Sequence, residues 1–153
     1  MIESFCDMIN KSALLHKRIM TRVLQKYELT YAQFQVLKTI QDHPGLSAKE
    51  VLIYLDTDKA TLSGILHRLE KSVMIHRKID PNDRRLMHLH LTHKSEAIIN
   101  AVKEQEETCE KKLTKGLKNR EIRIFQDAFQ TIINNQNEQL KERIKEWEET
   151  FNE

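Results

Sequence analysis

Two adjacent arginines, Arg84 and Arg85, follow directly on Asp80-Pro81-Asn82-Asp83, a turn made of one proline and three Asx residues. Guanidinium groups held out on such a turn suit phosphate oxygens and the narrow, electronegative minor groove of a duplex. Upstream, Leu62, Ile65, Leu66 and Leu69 repeat at helical spacing. On or beside the opposite face lie Lys59, Thr61, Ser63, Gly64, His67, Arg68 and Lys71. Small and polar side chains flanked by bases fit a helix that must approach another surface closely. A helix facing only solvent more often carries Glu and Lys pairs. The chemistry such a face offers is hydrogen bonding to base edges, with the cations fixing register on phosphates.

Other chemistry is thinner. His88, His90 and His93 form H-x-H-x-x-H, and strand alternation puts the first two on one face. No cysteine lies near enough to complete a metal set, and Asp83 or Glu96 would have to swing in, so no metal and no cofactor are expected. There is no Gly-rich phosphate loop, nucleophile elbow or paired metal-ligand motif, which argues against an enzyme.

The net charge of +2 hides an asymmetry. Residues 58–94 hold eight Lys and Arg against four Asp and Glu, whereas residues 95–153 hold ten against thirteen. A polyanion would be drawn to the middle third by counterion release. Three Gly and two Pro in 153 residues favour long helices. No apolar run approaches the roughly 18 residues of a membrane span, and Asp7, Lys11 and Lys17 interrupt any signal-like core at the N-terminus. Cys6 and Cys109 make no disulfide framework, so a cytoplasmic protein without membrane attachment is expected.

The elements that must position these residues can be read in order. Phe5, Ile9, Ala13, Ile19, Met20, Val23 and Leu24 predict one helix over residues 3–26. Thr30-x-x-Gln33 and Ser47-x-x-Glu50 are capping boxes, the first opening a helix that stops at Pro44-Gly45, the second a short helix to Leu55. Asp58 caps the helix Lys59–Ser72. The period then changes to two: Val73–Ile79 and Leu86–Thr92 predict a hairpin, with Met87, Leu89 and Leu91 on one face. Two more helices follow, from about His93 to Lys115 and from about Arg120 to Trp147, separated by Gly116 with Asn119 as cap. The last carries a stripe of Ile122, Phe125, Phe129, Ile132, Ile133, Leu140, Ile144 and Trp147.

Two short helices, a tight turn and a basic hairpin make a winged helix-turn-helix. The expected fold is therefore mainly α with a two-stranded β-wing: residues 1–30 a dimerisation helix, 31–100 the winged domain, and 101–153 C-terminal dimerisation helices. Stripes as long as those at the two ends cannot all be buried on one small winged domain, which predicts a homodimer. A helical dimerisation module that binds protein rather than DNA is the rival reading; it leaves the basic tip unexplained.

Taken together, these segments resemble the MarR family of bacterial regulators. The carrying residues are Leu46-Ser47-Ala48-Lys49-Glu50-Val51, Asp58-Lys59-Ala60-Thr61-Leu62-Ser63 continuing to Leu69-Glu70, and Asp80 to Arg85 leading to Leu89-His90-Leu91-Thr92. The chain departs from the family at Val73 and Ser95, where glycine is usual. The resemblance implies a dimeric regulator, usually a repressor, that binds a pseudo-palindromic duplex and is released by an effector. It makes Arg85 the wing-tip arginine, Asp83 the residue that holds the tip in shape, and Arg84 a backbone contact. It also implies an effector pocket, for which Phe5, Ile9, Met20, Phe34 and Leu37 are the candidates. Phe-Cys at the start of the first helix and Leu-Thr-Tyr at the start of the next one resemble the organic-hydroperoxide-sensing branch of the family. That likeness would make Cys6 a redox sensor with Tyr31 beside it and an oxidant the effector; otherwise Cys6 is a small core residue.

Overall fold

The computed structural model describes the backbone of residues 3–151 and the side chains of residues 3–142. In chain order the described elements are α1 (Phe5–Gln25), α2 (Tyr31–Asp42), α3 (Ala48–Tyr54), α4 (Lys59–Lys71), β1 (Ile75–Ile79), β2 (Met87–Leu91), α5 (His93–Leu113) and α6 (Asn119–Phe151). The fold is a mainly helical winged helix-turn-helix with one two-stranded antiparallel sheet, as the sequence predicts. The chain divides into two compact units, residues 1–107 and 108–153.

Local chemistry sets the helix starts in the first unit. The Thr30 hydroxyl accepts the Gln33 amide at 3.2 Å, and the Gln33 side chain accepts the Thr30 amide at 2.8 Å. The same reciprocal pair joins Ser47 and Glu50 ahead of α3. Each box satisfies two amides that the first turn would otherwise leave open. In Glu50 the Ser47 amide, and then the Ser47 hydroxyl, hold the carboxyl below the usual carboxylate range.

One core organises the unit. The α4 stripe Leu62, Ile65, Leu66 and Leu69 is buried against Phe34, Val36, Leu37 and Ile40 of α2, with Val51 of α3, Leu89 of β2, and Ile99 and Val102 of α5 in the same cluster. Met20 and Leu24, in the last turns of α1, belong to it too, whereas Phe5, Met8, Leu14, Leu15 and Ile19 are exposed. The end of α1 is thus built into the winged domain's core, and its start is not.

The hairpin pairs Ile75 with Leu91, His76 with His90, Arg77 with Leu89, Lys78 with His88 and Ile79 with Met87. It begins two residues later than the expected Val73 because residues 73 and 74 close α4 instead. The Met74 amide donates to Leu69 O at 2.8 Å and the Val73 amide to Glu70 O at 2.9 Å, the double hydrogen bond of a Schellman motif. Val73 accordingly sits at φ 57°, where a β-branched side chain is strained. Of the expected β2 face, Leu89 is buried and Leu91 partly so, but Met87 near the tip is exposed.

In the second unit, α6 starts at Asn119 rather than after it, and the cap moves to Lys118, whose amide donates to Glu121 Oε2 at 2.7 Å. Gly116 at φ 93° turns the chain before it. Ile124, Phe125, Ile133 and Leu140 are exposed, and Phe125 and Phe129 lie with ring centroids 5.0 Å apart. Ile144 and Trp147 of the expected stripe fall outside the described side chains.

Candidate nucleic-acid interface

α4 opens on a cap with one more hydrogen bond than its sequence alone predicts. Asp58 Oδ1 accepts the Thr61 amide at 2.8 Å, and Asp58 Oδ2 accepts the Thr61 hydroxyl at 2.6 Å. The Thr61 hydroxyl, and then its amide, hold the Asp58 carboxyl below the ordinary range. Thr61 therefore spends its hydroxyl proton on the cap and keeps only acceptor capacity for an outside partner.

Beyond the cap, Lys59, Ala60, Thr61, Ser63, His67, Arg68 and Lys71 are exposed and Gly64 is half-buried. No atom lies within 4 Å of where a Gly64 Cβ would stand. Packing inside the protein does not require a glycine there. The C-terminal end of α4 is fixed to the hairpin by Arg77, whose Nε donates to Glu70 Oε1 at 3.0 Å.

The wing tip is a compact Asx turn. Asp80 Oδ1 accepts the amides of Asn82, at 2.7 Å, and Asp83, at 3.1 Å. Asp83 Oδ1 in turn accepts the Arg85 amide at 2.9 Å, so Asp83 meets Arg85 through the backbone. Among the described residues the guanidinium groups of Arg84 and Arg85 enter no ion pair, and both side chains are exposed.

The wing is anchored near its tip by His88, one of the histidines of H-x-H-x-x-H. His88 Nδ1 lies 2.6 Å from Gly45 O, and Nε2 lies 2.8 Å from Asp80 Oδ2. Leu89 donates its amide to Leu46 O at 2.8 Å, and Ser47 forms a β-bridge with His88. The hydrogen bond to Asp80, and then that to Gly45 O, raise the His88 pKa above the ordinary imidazole value. His90 stacks on His76 with centroids 5.5 Å apart; burial, and then the nearby Lys78, His76 and His88 charges, lower its pKa. His93 pairs instead with Glu96 at 3.2 Å. Among the described residues no three His, Cys, Asp or Glu side chains gather as a metal site.

The candidate sensing residues are dispersed. Cys6 is exposed at the start of α1. Tyr31 lies beneath Lys17, whose Nζ is 5.6 Å from the ring centroid. Lys17 is eleven residues further along α1 than Cys6, about 16 Å of helix axis at 1.5 Å per residue. Of the candidate pocket residues, Met20, Phe34 and Leu37 are filled core, Ile9 is half-buried and Phe5 is exposed. An open groove of about 540 Å³ lies elsewhere, lined by Lys26, Tyr27, Gln33, Arg68, Met74 and Lys94 among others.

Comparison with known proteins agrees with this architecture. The MarR family model matches residues 29–87, from the start of α2 to the first residue of β2. The HTH-type transcriptional regulator MgrA of Staphylococcus aureus is 35% identical over 97 residues, which are 63% of this chain and 66% of MgrA. The chain thus spans slightly less than two thirds of that relative. A crystal structure of MarR superposes with a TM-score of 0.80 at 27% identity, covering 92% of this chain and 95% of that one. The S. aureus MepR–DNA complex superposes with a TM-score of 0.71 over 86% of this chain and 96% of that one; at 19% identity this likeness is one of fold. Element order, the segment 29–87 matched by the MarR family model and the superposition over most of the chain coincide on a MarR-type winged helix-turn-helix.

Proposed function

We propose that this chain is a cytoplasmic, homodimeric transcriptional regulator, not an enzyme, that binds duplex DNA and represses by occupying its operator until an effector releases it. The observation that carries the reading is the surface of α4. It exposes Ser63 and His67 around a glycine with open space above it, with Lys59 at one end and Arg68 and Lys71 at the other. Inserted in a major groove, such a helix brings donors and acceptors to base edges while its cations meet phosphates. The exposed guanidinium groups of Arg84 and Arg85 extend the contact to the neighbouring minor groove or backbone. The family relatives are regulators by name, and one of the superposed folds is seen on DNA.

The dimer is supported by apolar side chains left in solvent on α1 and α6, among them Phe5, Leu15, Ile19, Phe125 and Leu140. Large apolar side chains exposed along a helix suit burial against a partner helix. Two-fold pairing would present two α4 helices to a pseudo-palindrome with half-sites about 34 Å apart.

Titration of the purified protein against a fluorescent duplex carrying its gene's own upstream region tests the proposal. The expected result is saturable binding that weakens steeply with salt and exceeds binding to a scrambled duplex. Equal, weak binding to both duplexes at low salt would overturn the operator reading.

A further inference from the structure

His88 stands where three segments of the winged domain meet: the hairpin, the turn between α2 and α3, and the start of α3. Its two ring nitrogens face Gly45 O at 2.6 Å and Asp80 Oδ2 at 2.8 Å. A backbone carbonyl and an ionised carboxylate can only accept. A neutral imidazole carries one N–H and one lone pair, so it can satisfy one of these partners and must set its lone pair against the other. Only the imidazolium, with two N–H groups, makes both bonds. We propose that His88 is a proton-operated clamp: charged, it holds Asp80 of the wing and the turn that precedes α3 at once, and on losing its proton it must release one of the two, loosening the wing on that turn.

The surroundings of His88 support the charged form from more than one side. Asp80 is kept ionised because it also accepts the Asn82 and Asp83 amides through its other oxygen, and the bond from His88 together with these two lowers its pKa. Glu50, held at the start of α3 by Ser47, adds a second negative charge facing the ring. Against these stand Lys78, the cross-strand partner of His88, and His90, two residues along the same strand. The hydrogen bond to Asp80, then that to Gly45 O, outweigh burial, and with the charges of Asp80 and Glu50 the His88 pKa is raised. The sign follows. Stability contributed by a raised imidazole is complete below its unfolded-state value and is lost as pH rises through the folded-state value. The clamp therefore holds between the lowered titration of Asp80 and the raised titration of His88, and opens on the alkaline side.

Because Arg84 and Arg85 lie on the segment between Asp80 and His88, the clamp also sets where the wing tip stands relative to α4. That consequence rests on the function proposed above; the clamp itself does not.

The test reads the two levels separately in the full chain. Long-range ¹H–¹⁵N NMR of the histidine rings should show His88 carrying protons on both nitrogens above the pH, about 6.5, at which an ordinary imidazole is half-titrated. The amides of residues 80–88 should shift together at the same midpoint. Asp80→Asn keeps an oxygen for the turn but offers His88 a donor in place of an acceptor, and should move both midpoints down. His88→Gln should abolish the inflection while far-UV circular dichroism keeps its helical signal, so the readout survives if the Asp80 variant folds poorly. A single neutral tautomer of His88 at neutral pH, or wing amides that titrate independently of it, would overturn the clamp. Binding to the upstream duplex should weaken roughly fivefold or more across the His88 midpoint. Duplex binding with no inflection there would overturn the coupling to affinity. If no duplex binds at any pH while the wing amides still follow His88, the clamp is upheld and the proposed function fails.

Discussion

The hydroxyl of Thr92 donates to the carbonyl oxygen of Val73 at 2.8 Å. The Thr92 hydroxyl oxygen also accepts the Ser95 amide at 3.3 Å, while Ser95 Oγ accepts the Thr92 amide at 3.1 Å and donates to Thr92 O at 2.9 Å. One residue thus joins the two positions at which this chain departs from the glycines expected from its resemblance to the MarR family. Ser95 is fully buried at the start of α5, where its hydroxyl closes a cap that glycine could not.

Val73 is a different kind of departure. Its side chain is 63% exposed and gains little by packing, yet its backbone is left-handed. Val73→Gly should stabilise the protein by about 1 kcal/mol, the relief of strain exceeding the added freedom of the unfolded chain. Urea denaturation followed by circular dichroism measures it; a lower midpoint would mean that the valine packs in a way its exposure contradicts.

Gly64→Ala should separate folding from recognition. Alanine fits the open space and raises helix propensity, adding about 0.5–1 kcal/mol of stability. If α4 lies close against the bases, the added methyl weakens duplex binding by about 1 kcal/mol, roughly fivefold. Stability and affinity would then move in opposite directions; affinity unchanged would place Gly64 away from the contact.

At the wing, Arg85→Ala should lower duplex affinity and reduce the slope of log affinity against log salt by about one counterion. Asp83→Ala should loosen the tip by removing the acceptor for the Arg85 amide, and Asp83→Asn should retain it. Equal loss in both Asp83 variants would show that charge, not turn geometry, is what Asp83 supplies.

His90 and His88 should respond to pH with opposite signs. Burial lowers the His90 pKa, so the unfolded chain takes up the proton more readily and stability falls as pH drops through the ordinary imidazole range. His90→Gln should flatten that acid limb of the stability profile. Denaturation midpoints measured across the range would decide it, and an unaltered limb would assign the loss to another group.

Phe125→Glu on the exposed face of α6 should weaken self-association on the order of a hundredfold, because an interface that buries the ring would have to bury a charge. Sedimentation equilibrium reads the change. A dimer of undiminished strength would move the interface off this face.

What the sequence made legible was whatever acts within three or four residues. Thr30 with Gln33 and Ser47 with Glu50 are visible as spaced pairs, and the stripe from Leu62 to Leu69 is visible as a period; all appear in the structure as expected. Thr61 as a partner of Asp58 has the same three-residue spacing and is legible from it in principle. His88 is not. Its partner Gly45 is 43 residues away, and only the fold brings the turn to the strand. In a sequence containing H-x-H-x-x-H the conspicuous reading is metal chemistry, whereas the structure gives each of the three histidines a different neighbour. The late start of β1 is a related case: period-two spacing cannot register that Val73 and Met74 are already engaged in closing α4.

The pairing of β2 with residues 46 and 47 bears on how force would pass through this domain. A hairpin attached only at its two ends would hinge where it leaves α4 and where it enters α5. Here the second strand is also stitched, through Leu89 and His88, to the few residues linking α2 and α3. A load on the wing tip would therefore reach the residues linking α2 and α3 as well as α4. Anything that shifts α2 would be felt at the arginines, and anything that grips the arginines would be felt at α2.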